Sequence, residues 1–107
     1  MAHVVRITHA ELIAACVVGE AGYFAKLIDA TQLPITADLE NGFGESPNTV
    51  AETIRRAGEV GLAGASIEDA TYRKEDPILD FNLAVERIHA AVEAAQGIGR
   101  PFVLTAR

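Results

Sequence analysis

Asp38 and Glu40 stand two residues apart after the apolar run Leu33-Pro34-Ile35-Thr36-Ala37, just before the turn Asn41-Gly42-Phe43-Gly44. In an extended chain, side chains two apart share a face, so these carboxylates are placed to hold one hard cation or its bound waters. The next apolar run, Ala63-Gly64-Ala65-Ser66-Ile67, closes on a second acidic pair, Glu68-Asp69. A third, Phe102-Val103-Leu104-Thr105-Ala106, ends in Arg107. Three successive strand-like segments thus finish on charged groups suited to a metal ion and an anion. Each alone also fits a solvated strand end followed by a turn, and Arg107, the last residue, also fits a frayed end.

Helices must separate these strands if they lie parallel. Ser46 can cap a helix that Pro47 starts, and Val50, Ile54, Ala57 and Val60 repeat at three- and four-residue steps before Gly61. Ala70 to Pro77 reads as a polar loop. Beyond it Val85, Ile88, Val92 and Ala95 predict the buried stripe of a second helix, closing near Gly97 and Gly99. Thr8 and Glu11 have capping-box spacing, which predicts an earlier helix running towards Asp29. Glu52 with Arg55 or Arg56 is expected to pair along a helix surface.

The order helix, strand, helix, strand, helix, strand predicts an α/β fold with a parallel sheet. Strand C-terminal ends then share one edge, where such proteins bind ligands, and Asp38, Glu40, Glu68, Asp69 and Arg107 converge there. A closed (β/α)8 barrel of the TIM type needs eight strands and about 250 residues. Only about three strands are read in these 107 residues. The chain therefore reads as one domain built of barrel βα units: an incomplete barrel, or one whose copies cover each other's strand edges as a homo-oligomer.

Nine basic against fifteen acidic residues give a formal charge of −6, which argues against a nucleic-acid partner. The apolar stretch Leu12 to Val18 is too short to span a membrane, and no signal-peptide pattern precedes it. Cys16, the lone cysteine, reads as a small buried hydrophobe in a reducing compartment, so the expected location is cytoplasmic. His3, His9 and His89 form no ligand cluster in sequence, and His89 reads as a surface or core-edge residue.

From Leu33-Pro34-Ile35-Thr36-Ala37-Asp38-Leu39-Glu40-Asn41-Gly42-Phe43-Gly44, through Gly64-Ala65-Ser66-Ile67-Glu68-Asp69, to Arg100-Pro101-Phe102-Val103-Leu104-Thr105-Ala106-Arg107, the chain resembles the middle of the isocitrate lyase and phosphoenolpyruvate mutase superfamily. Residues 33–107 carry the resemblance as a βαβαβ core. Residues 1–32 match poorly and read as a helical segment, although residues 2–7 faintly resemble the family's preceding helix.

The resemblance implies a (β/α) barrel enzyme that uses Mg²⁺ to hold a small 2-oxo acid, a phosphoenolpyruvate-like substrate or the enolate of either, and that breaks or forms C–C or P–C bonds. It implies Asp38 as a direct metal ligand, Glu40 and Glu68 as holders of metal-bound water, and Glu68 and Arg107 as catalytic residues. Asn41, Gly42 and Arg107 are implied to bind the carboxylate substrate, with Gly42 and Gly44 letting the loop pass close to it. Lyases of the superfamily carry an acid/base cysteine in a Lys-x-Cys-Gly-His type motif after the Glu-Asp pair. Here that loop reads Ala70-Thr71-Tyr72-Arg73-Lys74-Glu75-Asp76-Pro77, without cysteine or histidine. This points away from ordinary isocitrate or methylisocitrate cleavage and towards members labelled carboxyvinyl-carboxyphosphonate phosphorylmutase. Tyr72 or Lys74 could supply a proton only if its pKa were lowered. The alternative reading is a non-catalytic barrel fragment that persists as an oligomer.

Overall fold

The computed structural model describes residues 3–6 and 28–107. Its order is β1 (His3–Arg6), β2 (Ile35–Asp38), α1 (Pro47–Glu59), β3 (Gly64–Ile67), α2 (Phe81–Gln96) and β4 (Val103–Ala106). The four strands form one parallel sheet in the order β1-β2-β3-β4. The α/β fold of parallel βα units is therefore as expected, with one strand more. Residues 2–7, whose faint resemblance was to a helix, instead contain β1, which pairs His3 with Ile35 through Arg6 with Asp38. The run Val4-Val5 is β-branched and too short to declare a period, so helix and strand were not separable locally. The expected capping box at Thr8, the body of its helix and Cys16 lie outside the described residues; Ile28 and Asp29 are helical.

α1 begins as its sequence dictates. Ser46 Oγ accepts a hydrogen bond from the Thr49 amide at 3.1 Å, and Pro47 occupies the first turn, where a missing N–H costs nothing. Val60 caps the C-terminal end, and Gly61 turns away at φ +97°. Val50, Ile54 and Ala57 are fully buried against Ile35, Ala37, Leu39, Ala65 and Ile67 of the sheet. Glu52 pairs with both Arg55 and Arg56, the latter at 2.6 Å.

α2 is capped by Asp80, whose Oδ2 accepts from the amides of Asn82 and Leu83 at 3.1 and 3.3 Å. Its buried face keeps Ala95 of the expected stripe and departs from the rest. Arg87, Ala91 and Ala95 point inward, whereas Val85 and Val92 stay 40% and 38% exposed and Ile88 is half-buried. Small alanines let α2 approach α1 closely, and the arginine finds acceptors that no local pattern discloses. Val85, Ile88 and Val92 instead line a groove of about 540 Å³ with Ile67, Phe81 and Ala106. Exposed His89 also borders it.

The register assigns the two faces of the sheet. Ala37, Ala65 and Leu104 lie level on the helical face, while Asp38, Ser66 and Thr105 lie level on the other. Two residues further along, Glu68 and Arg107 follow on that second face. Among the described residues, no helix is long and apolar enough to cross a membrane.

Candidate active site at the strand ends

The ladder continues beyond the strands, and this holds the charged residues in place. Leu39 N–H donates to Ser66 O (3.1 Å), Glu68 N–H to Glu40 O (2.8 Å) and Arg107 N–H to Ile67 O (2.9 Å). Arg107 is thus tied by its backbone, while its side chain remains 64% exposed. Its Nη1 lies 3.6 Å from Glu68 Oε2 and 3.9 Å from Asp38 Oδ2. These are ion pairs looser than hydrogen bonds, so the guanidinium donors can turn to an incoming oxyanion. The Asp38 and Glu68 side chains are only 16% and 17% exposed, which strengthens their field on any cation nearby.

Asp38 is further oriented through Oδ1, which accepts from the Glu40 amide at 3.0 Å and, more weakly, from Ser66 Oγ at 3.4 Å. Glu40 lies past the end of β2 with φ +55°, so strand alternation does not set its direction as the sequence suggested. Its charge nonetheless acts on the same neighbour as Asp38 and Glu68. That neighbour is Tyr72, also left-handed at φ +61°, whose hydroxyl bonds Glu68 Oε1. Lost hydration, this hydrogen bond and the negative charges of Glu68, Glu40 and Asp38 together hold the phenol well above its ordinary pKa. The condition under which Tyr72 could act as a proton donor, a lowered pKa, is not met here.

The turn residues serve the frame. Asn41 Nδ2 donates to Ala70 O at 3.2 Å, and its Oδ1 accepts from the Phe43 amide at 3.0 Å, so both ends of the amide are engaged within the protein. Gly42 is buried at φ +77°, and a Cβ there would lie 3.0 Å from Val50 Cγ2. Its carbonyl accepts from buried Thr53 Oγ1 at 2.7 Å. Glycine is therefore required at this position to seat the turn on α1. At Gly44 a Cβ would collide with the Thr49 side chain at 2.6 Å. The 70–77 loop is closed by Thr71 N–H on Pro77 O (2.9 Å), by Thr71 Oγ1 on Asp76 O, and by Arg73 paired with Glu45. Asp69 O accepts from the Leu79 amide, so this residue anchors the loop's return.

Arg87 was not foreseen. Sequence offered one faint signal, its place four and eight residues before Ala91 and Ala95. It is 1% exposed, and its guanidinium donates to the carbonyls of Gly44 (2.5 Å), Asn41 (2.6 Å), Glu45 (3.0 Å) and Glu68 (3.2 Å).

Among the described residues, no three His, Cys, Asp or Glu side chains are grouped so as to hold a metal ion between them. The structure brings together Asp38, Glu68 and Arg107, with Tyr72 beside them. The largely apolar groove along α2 is also lined by Glu68, Asp69, Arg87 and Arg107. Its lining suits packing better than recognition of a small anion.

The phosphoenolpyruvate phosphomutase family model matches residues 14–107. The chain belongs to the phosphoenolpyruvate phosphomutase family. It is similar to a candidate lyase/mutase of Burkholderia cenocepacia J2315, with 46% identity and a TM-score of 0.78 over 98% of this chain and 40% of that one. It is also 34% identical over 88 residues to 2-methylisocitrate lyase of Escherichia coli strain K12, covering 77% of this chain and 29% of the enzyme. A third similarity is to 2,3-dimethylmalate lyase, a PEP mutase/isocitrate lyase superfamily member, with 26% identity and a TM-score of 0.68 over 100% of this chain and 47% of that one. This phosphomutase-family chain thus spans 29% of the length of the curated relative and less than half of either solved one. Family membership and fold agree with the barrel units read from the sequence.

Proposed function

We propose that this chain carries the metal and oxyanion site of a Mg²⁺-dependent lyase or phosphonomutase-like enzyme acting on a small 2-oxo acid or phosphoenolpyruvate-like substrate. The observation that carries this reading is the meeting of Asp38, Glu68 and Arg107 on one face at the strand ends, within 3.9 Å. The donor set fits Mg²⁺. It consists of hard carboxylate oxygens without histidine or cysteine, and it is too sparse for a closed protein cage, as suits an ion that retains several waters. Asp38 would ligate directly, and Glu40 and Glu68 would hold water ligands. When bound, the ion stabilises the negative charge of an enolate. Arg107 grips the substrate carboxylate or phosphonate with its planar fork, while Tyr72 orients Glu68.

Calorimetric titration with Mg²⁺ and oxalate, a planar stand-in for pyruvate enolate, tests the reading. Oxalate binding is expected to require Mg²⁺ and to vanish in Asp38→Ala. Unchanged Mg²⁺-dependent binding in that variant would remove Asp38 from the metal site.

A second reading, the non-catalytic oligomer, is favoured by the apolar groove and by Phe81 and Val103, which are 78% and 65% exposed. A compact monomer at micromolar concentration in solution scattering would count against it.

A further inference from the structure

The geometry points to Arg87 as the positioning residue of the acidic site, a clamp that sets where Asp38, Glu40 and Glu68 stand relative to one another without touching substrate or metal. This inference rests on the reading of those three carboxylates as the metal site.

The four acceptors of Arg87 are not scattered. Asn41, Gly44 and Glu45 belong to the turn that follows Asp38 and Glu40, and the fourth acceptor is the backbone of Glu68 itself. A single planar guanidinium therefore bridges the end of β2 to the end of β3 from below, on the helical side. The backbone ties the same segments through Glu68 N–H to Glu40 O at 2.8 Å and, one step earlier, Leu39 N–H to Ser66 O at 3.1 Å. None of the four acceptors is a carboxylate, so the fork satisfies backbone carbonyls and leaves the acidic side chains to the opposite face. Burial pushes the Arg87 pKa down, while the charges of Glu45 and Asp69 oppose that, and the guanidinium stays charged.

Lysine keeps the charge but presents its donors from one point, so it cannot span carbonyls that a fork reaches from two nitrogens. Arg100 is a matched control. It also binds two carbonyls, Leu62 O at 2.9 Å and Gly58 O at 2.7 Å, but at the far end of α1, away from the acidic residues.

The test uses the ¹⁵N-labelled chain as wild type, Arg87→Lys, Arg87→Ala and Arg100→Lys. Amide hydrogen exchange at Gly42, Phe43 and Glu68 is compared with Ile54 and Ala57 in α1, and Mg²⁺ alone is titrated while the same amides are followed. In Arg87→Lys, exchange at Gly42, Phe43 and Glu68 is expected to rise about tenfold while the α1 amides hold, and Mg²⁺ affinity is expected to fall by about tenfold. Millimolar guanidinium should restore part of both in Arg87→Ala, whereas tetramethylammonium should not. Arg100→Lys should leave Mg²⁺ affinity unchanged. If loop and helix amides speed up together in Arg87→Lys, or if neither moves, the clamp is refuted. If wild type shows no Mg²⁺ response, the metal reading falls, and the exchange comparison still decides whether Arg87 holds the turn.

Discussion

Arg107, one residue past β4, and Asp38, at the end of β2, come within 3.9 Å of each other across β3, and Glu68, one residue past β3, lies 3.6 Å from the same nitrogen. The guanidinium thus offsets two carboxylates that would otherwise repel one another at the strand ends. It stands where a small cation would also be drawn.

From this competition a dissociation of two affinities is expected. Arg107→Gln removes the built-in cation, so Mg²⁺ alone should bind about two- to fivefold more tightly, a modest gain because the side chain is solvent-exposed. Oxalate binding in the presence of Mg²⁺ should weaken in the same variant, since the fork is gone. Calorimetry reads both, and a parallel loss of the two would mean that Arg107 positions Asp38 and Glu68 rather than competing with the cation.

Tyr72 makes stability depend on alkaline pH. Its pKa is raised from the ordinary value of 10.0, first by lost hydration and then by Glu68, so the folded chain keeps a proton that the unfolded chain releases. That contribution is complete below about pH 10 and is lost as pH rises from there. Urea midpoints measured from neutral to alkaline pH should fall more steeply for wild type than for Tyr72→Phe. Equal slopes would show that the phenol does not sense the three carboxylates.

Ile54 is fully buried between α1 and the sheet. Ile54→Ala should cost about 2–5 kcal/mol through lost burial and a residual cavity, read from urea denaturation. Glu52→Gln, on the exposed side of the same helix, should stay within about 0.5 kcal/mol, because its pairs with Arg55 and Arg56 are solvent-screened.

Asp80 has two amides on one carboxylate oxygen at the start of α2. Asp80→Ala should destabilise by about 1 kcal/mol, and Asp80→Ser should recover most of it. Because α2 carries Arg87, fraying that reached the second turn would also loosen Gly42 and Phe43, which exchange measurements in Asp80→Ala would reveal.

Local chemistry was enough to place much of this. Ser46, Pro47 and Gly61 bound α1 because capping and left-handed turns depend on residues adjacent in the chain. Asp38, Glu68 and Arg107 were assignable to one edge because parallel strands all end on the same side, but their common face follows from the register that levels Asp38 with Ser66 and Thr105. Packing decided the rest. Whether Val85 or Arg87 turns inward on α2 depends on which residues of α1 and the β2 turn lie opposite, partners tens of positions away in sequence. β1 is a strand because β2 offers it an edge to pair with, something four residues cannot announce. The direction of Glu40, set by a left-handed backbone beyond the strand, and the approach of Tyr72 to Glu68 likewise arise only when separate segments meet. Periodicity and capping are properties of neighbouring residues, whereas burial and hydrogen-bond partners belong to the folded chain as a whole.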